Sequence, residues 1–140
     1  MQKQLTQVAT FQIAFGQNVE PSPTLINKET AILRYDLMKE ENEEYLEAVE
    51  NNDLVEVYDA LVDQYYILCG TILEHGMQNI IEKGFEEVQR SNMSKLDEVG
   101  LPIINGENGV LDESRPLGKI LKSSKYFPPN LSQFFVDEGV

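Results

Sequence analysis

Two pairs of acidic residues with the same spacing are the clearest sign of chemistry in this sequence. Glu41 and Glu44 are three residues apart, and Glu56 and Asp59 repeat that spacing further along the chain. On an α-helix this spacing places both side chains on one face. Neighbouring ionised carboxylates repel each other, and a buried one without a partner takes up a proton. Such pairs are suited to binding a cation.

The positions of the acids around the first of these helices separate candidate ligands from ordinary surface charge. The apolar stripe marked by Leu33 and Leu37 includes Glu41 and Glu44, and Glu40 lies at its border. Acids outside that stripe are expected to face solvent, as ordinary surface charge; these are Glu43, Glu47 and Glu50.

On the next helix, Glu56, Asp59 and Asp63 share a stripe roughly 60° wide. An alternative for Glu56 is a purely local role, in which Asp53 and Glu56 form a capping box at the helix start. Arg34 and Lys39 fall on other faces of their helix and cannot neutralise this many acids. A hard divalent cation with oxygen ligands, Mg²⁺ or Mn²⁺, is therefore expected.

Other chemistries fit the composition poorly. A single histidine, His75, and a single cysteine, Cys69, exclude zinc clusters and di-iron helix bundles. The sequence has no phosphate-binding glycine loop and no nucleophile elbow. The net charge of −13 argues against a nucleic-acid polymer or an anionic membrane as a partner. With one cysteine, no signal peptide and no long apolar run, we expect a cytoplasmic protein.

Four helices must position these acids, so we expect one all-α domain over residues 1–140, with a four-helix bundle-like body over about 1–96. The expected helices run from about Leu5 to Phe15, from a cap at Asn27 to about Glu50, from behind Asp53 to a stop at Gly76, and from about Met77 to Lys95. Residues 97–140 are rich in Gly, Pro and Asn and predict an irregular C-terminal arm, in which "PIINGENGVL" is a candidate hairpin.

At this point the motifs resemble a known family. "EENEE" (Glu40 to Glu44) reads as Glu-Glu-x-x-Glu, and "EVYD" (Glu56 to Asp59) as Glu-x-x-Asp on the following helix. This is similar to the all-α nucleoside triphosphate pyrophosphohydrolases, which include the MazG proteins, dimeric dUTPases, dCTP pyrophosphatases and phosphoribosyl-ATP pyrophosphohydrolase. "FEEVQRSNMSKLD", "FQIAFGQ" and "KYFPPNL" resemble the MazG-like, phosphoribosyl-ATP pyrophosphohydrolase-like branch. Gln12 stands where that branch tends to carry His.

The resemblance implies roles for individual acids. Glu41, Glu44, Glu56 and Asp59 would bind Mg²⁺, and Asp63 would add a ligand or an outer contact. Glu40 would orient or deprotonate the attacking water, so that the catalytic pair is Glu40 and Glu41.

The remaining parts of a nucleotide need other side chains. In "RSNMSK", Arg90 and Lys95 are suited to phosphates and Asn92 to the sugar or base. A structural alternative is that Arg90 pairs with Glu86 or Glu87 and that Lys95 complements a helix end. Phe15 and Gln17, with Tyr66, are candidates for a base pocket, although a core role for the two aromatic residues is the alternative.

The implied reaction is hydrolysis of a (d)NTP to the (d)NMP and pyrophosphate, in a homodimer or homotetramer. One alternative is the same fold acting on phosphoribosyl-ATP in histidine synthesis. Another is a non-catalytic helical module that uses a metal ion for stability alone.

Overall fold

The computed structural model describes residues 1–135 and confirms the all-α class. Its elements are α1 (Gln2–Ala14), α2 (Lys28–Glu50), α3 (Leu54–Glu74), α4 (Ile81–Met93), β1 (Ile103–Ile104), β2 (Ile120–Leu121) and a 3₁₀ helix (Ser132–Phe135). The chain forms two compact units, a helical unit over residues 1–81 and a second unit that begins at Glu82. No helix within residues 1–135 is long and apolar enough to cross a membrane.

Local capping defines the ends of the long helices. The Asn27 side chain accepts a hydrogen bond from the Thr30 N–H at 2.9 Å, as an N-cap should. Just beyond the C-terminal end of α3, Gly76 has φ +66°, and a Cβ atom there would collide with the Ser22 carbonyl. Glycine is therefore required both by the backbone conformation and by the close approach of the preceding loop.

The loop between α1 and α2 is held against the end of α3 by backbone hydrogen bonds. The Glu20 N–H donates to the Leu73 carbonyl at 2.9 Å, and the Thr24 N–H donates to the His75 carbonyl at 3.0 Å. These bonds satisfy carbonyls that a helix end leaves without intrahelical partners. They fix the α1–α2 connection on the helical unit.

A small apolar core joins α1 to α3. Its buried members are Leu5, Val8, Cys69, Ile72 and Leu73. Burial raises the pKa of the Cys69 thiol, so this free cysteine stays protonated and packs as a small apolar residue. α2 packs along α3 as well, which makes α3 the central helix of the unit.

A buried arginine links α2 to α3. The Arg34 guanidinium donates to the Ile67 carbonyl at 2.6 Å and to the Thr71 hydroxyl at 3.0 Å. Burial lowers the pKa of Arg34, while the nearby charge of Glu74 raises it. Gly70 leaves room for this guanidinium, because a Cβ atom at position 70 would collide with it.

In the second unit, the sheet differs from the expected hairpin. Ile103–Ile104 does form a strand, but it pairs antiparallel with Ile120–Leu121 and not with the apolar residues 110 and 111. Asn105 explains the difference. Its side chain, 1% exposed, donates to the carbonyls of Asp112, Arg115 and Pro116 and accepts from the Asp112 N–H. Residues 106–118 therefore close as a loop around Asn105.

The second unit also holds its C-terminal segment against α4. The Ser91 hydroxyl donates to the Phe127 carbonyl at 2.9 Å, and the Ser94 hydroxyl accepts from the Phe127 N–H at 3.1 Å. The Glu87 carboxylate accepts from the Asn130 N–H at 2.8 Å. The motifs "RSNMSK" and "KYFPPNL" are therefore bonded to each other.

Candidate active site

Glu41 is the centre of the acidic group on the helical unit. It is half-buried, and its Oε2 atom is buried with no hydrogen-bond partner within residues 1–135. Burial and the neighbouring carboxylates of Glu44, Asp63 and Glu40 together raise the pKa of Glu41 from 4.5 to about 7, and burial is the largest cause. A group that is half-neutral near pH 7, among other acids, marks a site suited to a cation.

The packing of α2 against α3 brings these acids together. The Gln64 side-chain amide donates to the Glu41 backbone carbonyl at 3.3 Å and so connects the two helices at this level. Asp63, adjacent to Gln64 in α3, is close enough for its charge to raise the pKa of Glu41. The two acid stripes predicted from the sequence therefore meet at Glu41 and Asp63.

A cavity of about 350 Å³ lies next to this group, at the turn between α2 and α3. Its lining residues are Glu44, Glu47, Ala48, Asn51, Asp53 and Glu56. Glu44 belongs to both groups, since it lines the cavity and also acts on Glu41. The volume falls in the range of small-molecule sites.

Glu56 does not form a capping box with Asp53. The Asp53 side chain caps α3 by accepting from the N–H groups of Val55 and Glu56 at 3.1 Å. The Asp53 N–H, however, donates to the Ala48 carbonyl at 3.0 Å and not to Glu56. Glu56 is exposed and lines the cavity together with Glu44.

The remaining acids divide between solvent and cavity. Glu43 faces solvent as expected, with Lys39 at 3.9 Å. Glu47 is exposed but also lines the cavity, which its helix angle alone did not indicate. Asp59 is exposed on α3, between Glu56 and Asp63 on the same stripe.

The side chains do not form a ready-made metal cage. Among residues 1–135, no three His, Cys, Asp or Glu side chains come together in a group that could hold a metal ion. The carboxylates converge in pairs around Glu41 and Glu44 instead. Mg²⁺ is commonly bound by one or two carboxylates together with substrate phosphates, so paired acids with one unsatisfied oxygen fit such an ion.

An aromatic group lies at the end of α1. The rings of Phe11 and Phe15 are 4.4 Å apart, and Phe11 meets the edge of Tyr66 at 5.6 Å. Phe15 is 71% exposed, so its alternative role as a core residue does not hold within this chain. Gln17 is exposed, whereas Gln12 is buried and donates to the Asn18 carbonyl at 2.6 Å.

The three candidate residues of "RSNMSK" belong to the second unit. Arg90 makes a bidentate pair with Glu87, both bonds being 2.8 Å, and its guanidinium lies 4.3 Å from the centre of the Phe127 ring. This is the structural alternative given above for Arg90. Asn92 is exposed on α4, and Lys95 lines a separate cavity with other cations.

Comparison with known proteins agrees with this architecture. A family model described as phosphoribosyl-ATP pyrophosphohydrolase matches residues 8–92, which include both acid motifs. No curated protein matches the chain. The match covers more than half of the sequence and defines a pyrophosphohydrolase of the MazG-like kind. The chain belongs to the phosphoribosyl-ATP pyrophosphohydrolase family.

Proposed function

We propose that this protein is a Mg²⁺-dependent nucleoside triphosphate pyrophosphohydrolase that converts a (d)NTP to the (d)NMP and pyrophosphate. The observation that carries the proposal is the unsatisfied Oε2 atom of Glu41, in a group of carboxylates contributed by two packed helices. Burying a carboxylate oxygen without a partner is unfavourable, so the arrangement has a cost that a bound cation offsets.

The acids on both sides of the α2–α3 turn would hold this cation. They are Glu41, Glu44, Glu56, Asp59 and Asp63. Asp63 on α3 is close enough to Glu41 on α2 to raise its pKa, while Glu44 and Glu56 share the adjoining cavity. Bound Mg²⁺ or Mn²⁺ would neutralise phosphate charge and lower the pKa of a water molecule.

Other side chains would position the reactants. Glu40 is exposed beside Glu41. Its carboxylate can accept a hydrogen bond from the attacking water and so orient the lone pair of that water toward the α-phosphorus. The exposed face of Phe15, backed by Phe11, offers a surface for stacking a nucleobase, and Gln17 follows with hydrogen-bonding groups. We also propose Arg90, Asn92 and Lys95 as contacts to phosphate and sugar, and the Arg90 guanidinium is oriented by its hydrogen bonds to Glu87.

The second candidate substrate is phosphoribosyl-ATP, which the matching family model names. This molecule carries an additional ribose phosphate on the adenine ring, so the base end of its site needs a cation. Residues 4–27, which carry Phe11 and Phe15, contain no Lys or Arg. We therefore favour a simple (d)NTP.

Pyrophosphate release from a panel of (d)NTPs and from phosphoribosyl-ATP, with Mg²⁺ or Mn²⁺, tests this choice. Glu41→Gln and Asp59→Asn should lower turnover by more than about a hundredfold, since each removes a ligand from an ion whose effect is several kcal/mol. Glu43→Gln, on the same helix but facing solvent, is the matched control. Wild-type turnover in Glu41→Gln, or turnover of phosphoribosyl-ATP alone, would overturn the proposal.

The same variants distinguish catalysis from a purely structural metal site. If Mg²⁺ raises the Tm of the wild-type chain but no substrate is hydrolysed, the non-catalytic helical module is the better description. A catalytic metal site requires both the rise in Tm with Mg²⁺ and the hydrolysis of substrate, and Glu41→Gln should abolish the two together.

We further propose that the protein is a cytoplasmic homodimer or homotetramer. Large apolar side chains of α2 and α3 remain exposed in the single chain, and the most open are Tyr35, Leu46, Leu54, Val55 and Tyr58. Isolated exposed apolar residues are ordinary, but a succession along two packed helices is typical of a protein interface. Light scattering coupled to size-exclusion chromatography tests the assembly, and a monomer would contradict it.

A further inference from the structure

The helix α2, which carries Glu41 and Glu44, has little apolar packing on the rest of the helical unit. Among residues 28–50, only Arg34 and Ala48 are buried. The apolar core of the unit joins α1 to α3 and includes no residue of α2. Ala48 lies close to the α2–α3 turn, so over most of α2 the buried side chain is a charged one. A buried charge needs partners that compensate it, and the contacts of Arg34 therefore show what holds this helix.

Arg34 makes its contacts with α3. The guanidinium donates through Nη2 to the Ile67 carbonyl at 2.6 Å and through Nε to the Thr71 hydroxyl at 3.0 Å. The two acceptors lie one helical turn apart, so the planar group fixes the position of α2 along α3. Glu74, which is also buried, supplies negative charge nearby.

A second contact between the two helices has the same register. The Gln64 amide donates to the Glu41 carbonyl at 3.3 Å. Glu41 follows Arg34 by seven residues on α2, and Gln64 precedes Thr71 by seven residues on α3. Because equal steps along two antiparallel helices keep facing residues level, both contacts belong to one alignment of α2 on α3. This alignment is the one that brings Asp63 close to Glu41.

The acids themselves oppose this alignment when no cation is bound. Glu41 and Asp63 belong to different helices, and their repulsion is relieved if α2 shifts or rotates on α3. The Gln64 amide makes a long hydrogen bond to a neutral carbonyl and resists such a shift weakly. The hydrogen bonds of Arg34 are shorter and come from a charged donor, so Arg34 is the stronger restraint.

We propose that Arg34 is the positioning residue of the cation site, because it holds α2 in register on α3 so that acids of both helices serve one cation. The inference rests on the cation site of the proposed function. Arg34 is buried and lies two helical turns from Glu41, so its effect is on the alignment of the ligands and not on the substrate.

Titration of the substrate-free full chain with Mn²⁺, with free Mn²⁺ followed by electron paramagnetic resonance, tests the proposal. Arg34→Met should weaken Mn²⁺ binding about tenfold to a hundredfold, the usual effect of losing a group that orients metal ligands. Arg34→Lys keeps the charge near Glu74 but not the planar fork, and should recover part of this loss. Thr71→Val removes one acceptor without changing the charge and should weaken binding about fivefold, so it serves as the test if Arg34→Met does not fold.

Val8→Ala is the matched control for a general loss of stability. Val8 is buried in the core between α1 and α3, so its truncation lowers Tm but leaves the contacts between α2 and α3 in place. Val8→Ala should bind Mn²⁺ within about twofold of the wild type. Equal weakening by Val8→Ala and Arg34→Lys, or wild-type affinity in Thr71→Val and Arg34→Lys, would overturn the proposal.

Activity assays separate this inference from the proposed function. If the wild type binds Mn²⁺ and Arg34→Lys weakens that binding, but no nucleotide is hydrolysed, the proposed function fails and the role of Arg34 stands. If nucleotide is hydrolysed and the Arg34 variants keep the wild-type Mn²⁺ affinity, the positioning role fails alone. Absence of Mn²⁺ binding by the wild type would overturn both.

The dependence of turnover on Mg²⁺ distinguishes positioning from direct catalysis. Arg34→Lys should need several-fold more Mg²⁺ for half-maximal turnover and should approach the wild-type kcat at saturating Mg²⁺, since saturation restores the aligned state by mass action. A loss of kcat with an unchanged Mg²⁺ requirement would contradict the positioning role.

Discussion

Replacing Glu41 by Gln should stabilise the metal-free protein at neutral and alkaline pH. The carboxylate is half-buried among other acids, and its pKa is raised from 4.5 to about 7. In full, this change corresponds to about 3 kcal/mol of preference for the protonated form. Because the side chain remains partly exposed, screening by water reduces the figure to about 1 to 2 kcal/mol. The glutamine side chain has nearly the same shape without the charge.

The sign of the pH dependence follows from proton binding. Between pH 4.5 and about 7 the folded chain holds a proton on Glu41 that the unfolded chain has released. Stability therefore falls as pH rises through this window and stays low above it. Glu41→Gln should match the wild type near pH 4.5 and exceed it at about pH 8 by about 3 to 6 °C in Tm.

Thermal unfolding in EDTA across this pH range is the assay. Glu43→Gln provides the control, because Glu43 faces solvent and its carboxylate lies 3.9 Å from the Lys39 ammonium. It should shift Tm by no more than about 1 °C at any pH. Parallel pH profiles for Glu41→Gln and the wild type would refute the reasoning, since they would mean that Glu41 carries no burial penalty.

Three further predictions concern the frame of the fold. Gly76→Ala should destabilise the chain by about 2 to 4 kcal/mol in urea unfolding, because it combines a positive φ with a collision, whereas Gly16→Ala, at φ +72° in open space, should cost only about 1 kcal/mol. Asn105→Ala should cost about 2 to 4 kcal/mol in the same assay, since it leaves buried backbone groups without partners. Glu87→Gln should remove an acid-sensitive component of stability. Hydrogen bonds from Arg90 and the Asn130 N–H lower the pKa of Glu87 from 4.5 to about 2. The stability that ionised Glu87 contributes is therefore present above pH 4.5 and is lost as pH falls toward 2. Acid unfolding followed by circular dichroism should show this loss in the wild type and in Glu86→Gln but not in Glu87→Gln.

Features encoded by a few adjacent residues were predictable from sequence. The Asn27 cap, the Asp53 cap and the stop at Gly76 are all confirmed, because capping chemistry is local. The fourth helix starts later than expected, at Ile81, since residues 78–80 form a turn. The helical period placed Glu41 and Glu44 together on the inward stripe of α2, and this is confirmed for Glu41, which is half-buried, but is wrong for Glu44, which is exposed.

Features that depend on distant residues were not predictable. The partner of β1 is set by Asn105, whose bonds reach across a loop, and no local pattern reveals such a closure. The sequence left Phe15 open between a base pocket and the core, because it could not tell whether another element covers the ring. The same limit applies to Glu47, which joins the cavity because the chain turns at Asn51. The metal and substrate roles of the candidate residues stay predictions for the assays above.

The contact between Arg34 and Gly70 restricts how this sequence can diverge. A side chain at position 70 would occupy the space of the Arg34 guanidinium. A small residue at position 34 would remove the hydrogen bond to the Ile67 carbonyl and the positive charge near Glu74. Either substitution alone is unfavourable, and the two together relieve the collision with the guanidinium, but a Cβ atom at position 70 would still approach Gln12 Oε1 to 2.6 Å. Positions 12, 34 and 70 should therefore be epistatic, and homologous chains should exchange these residues together.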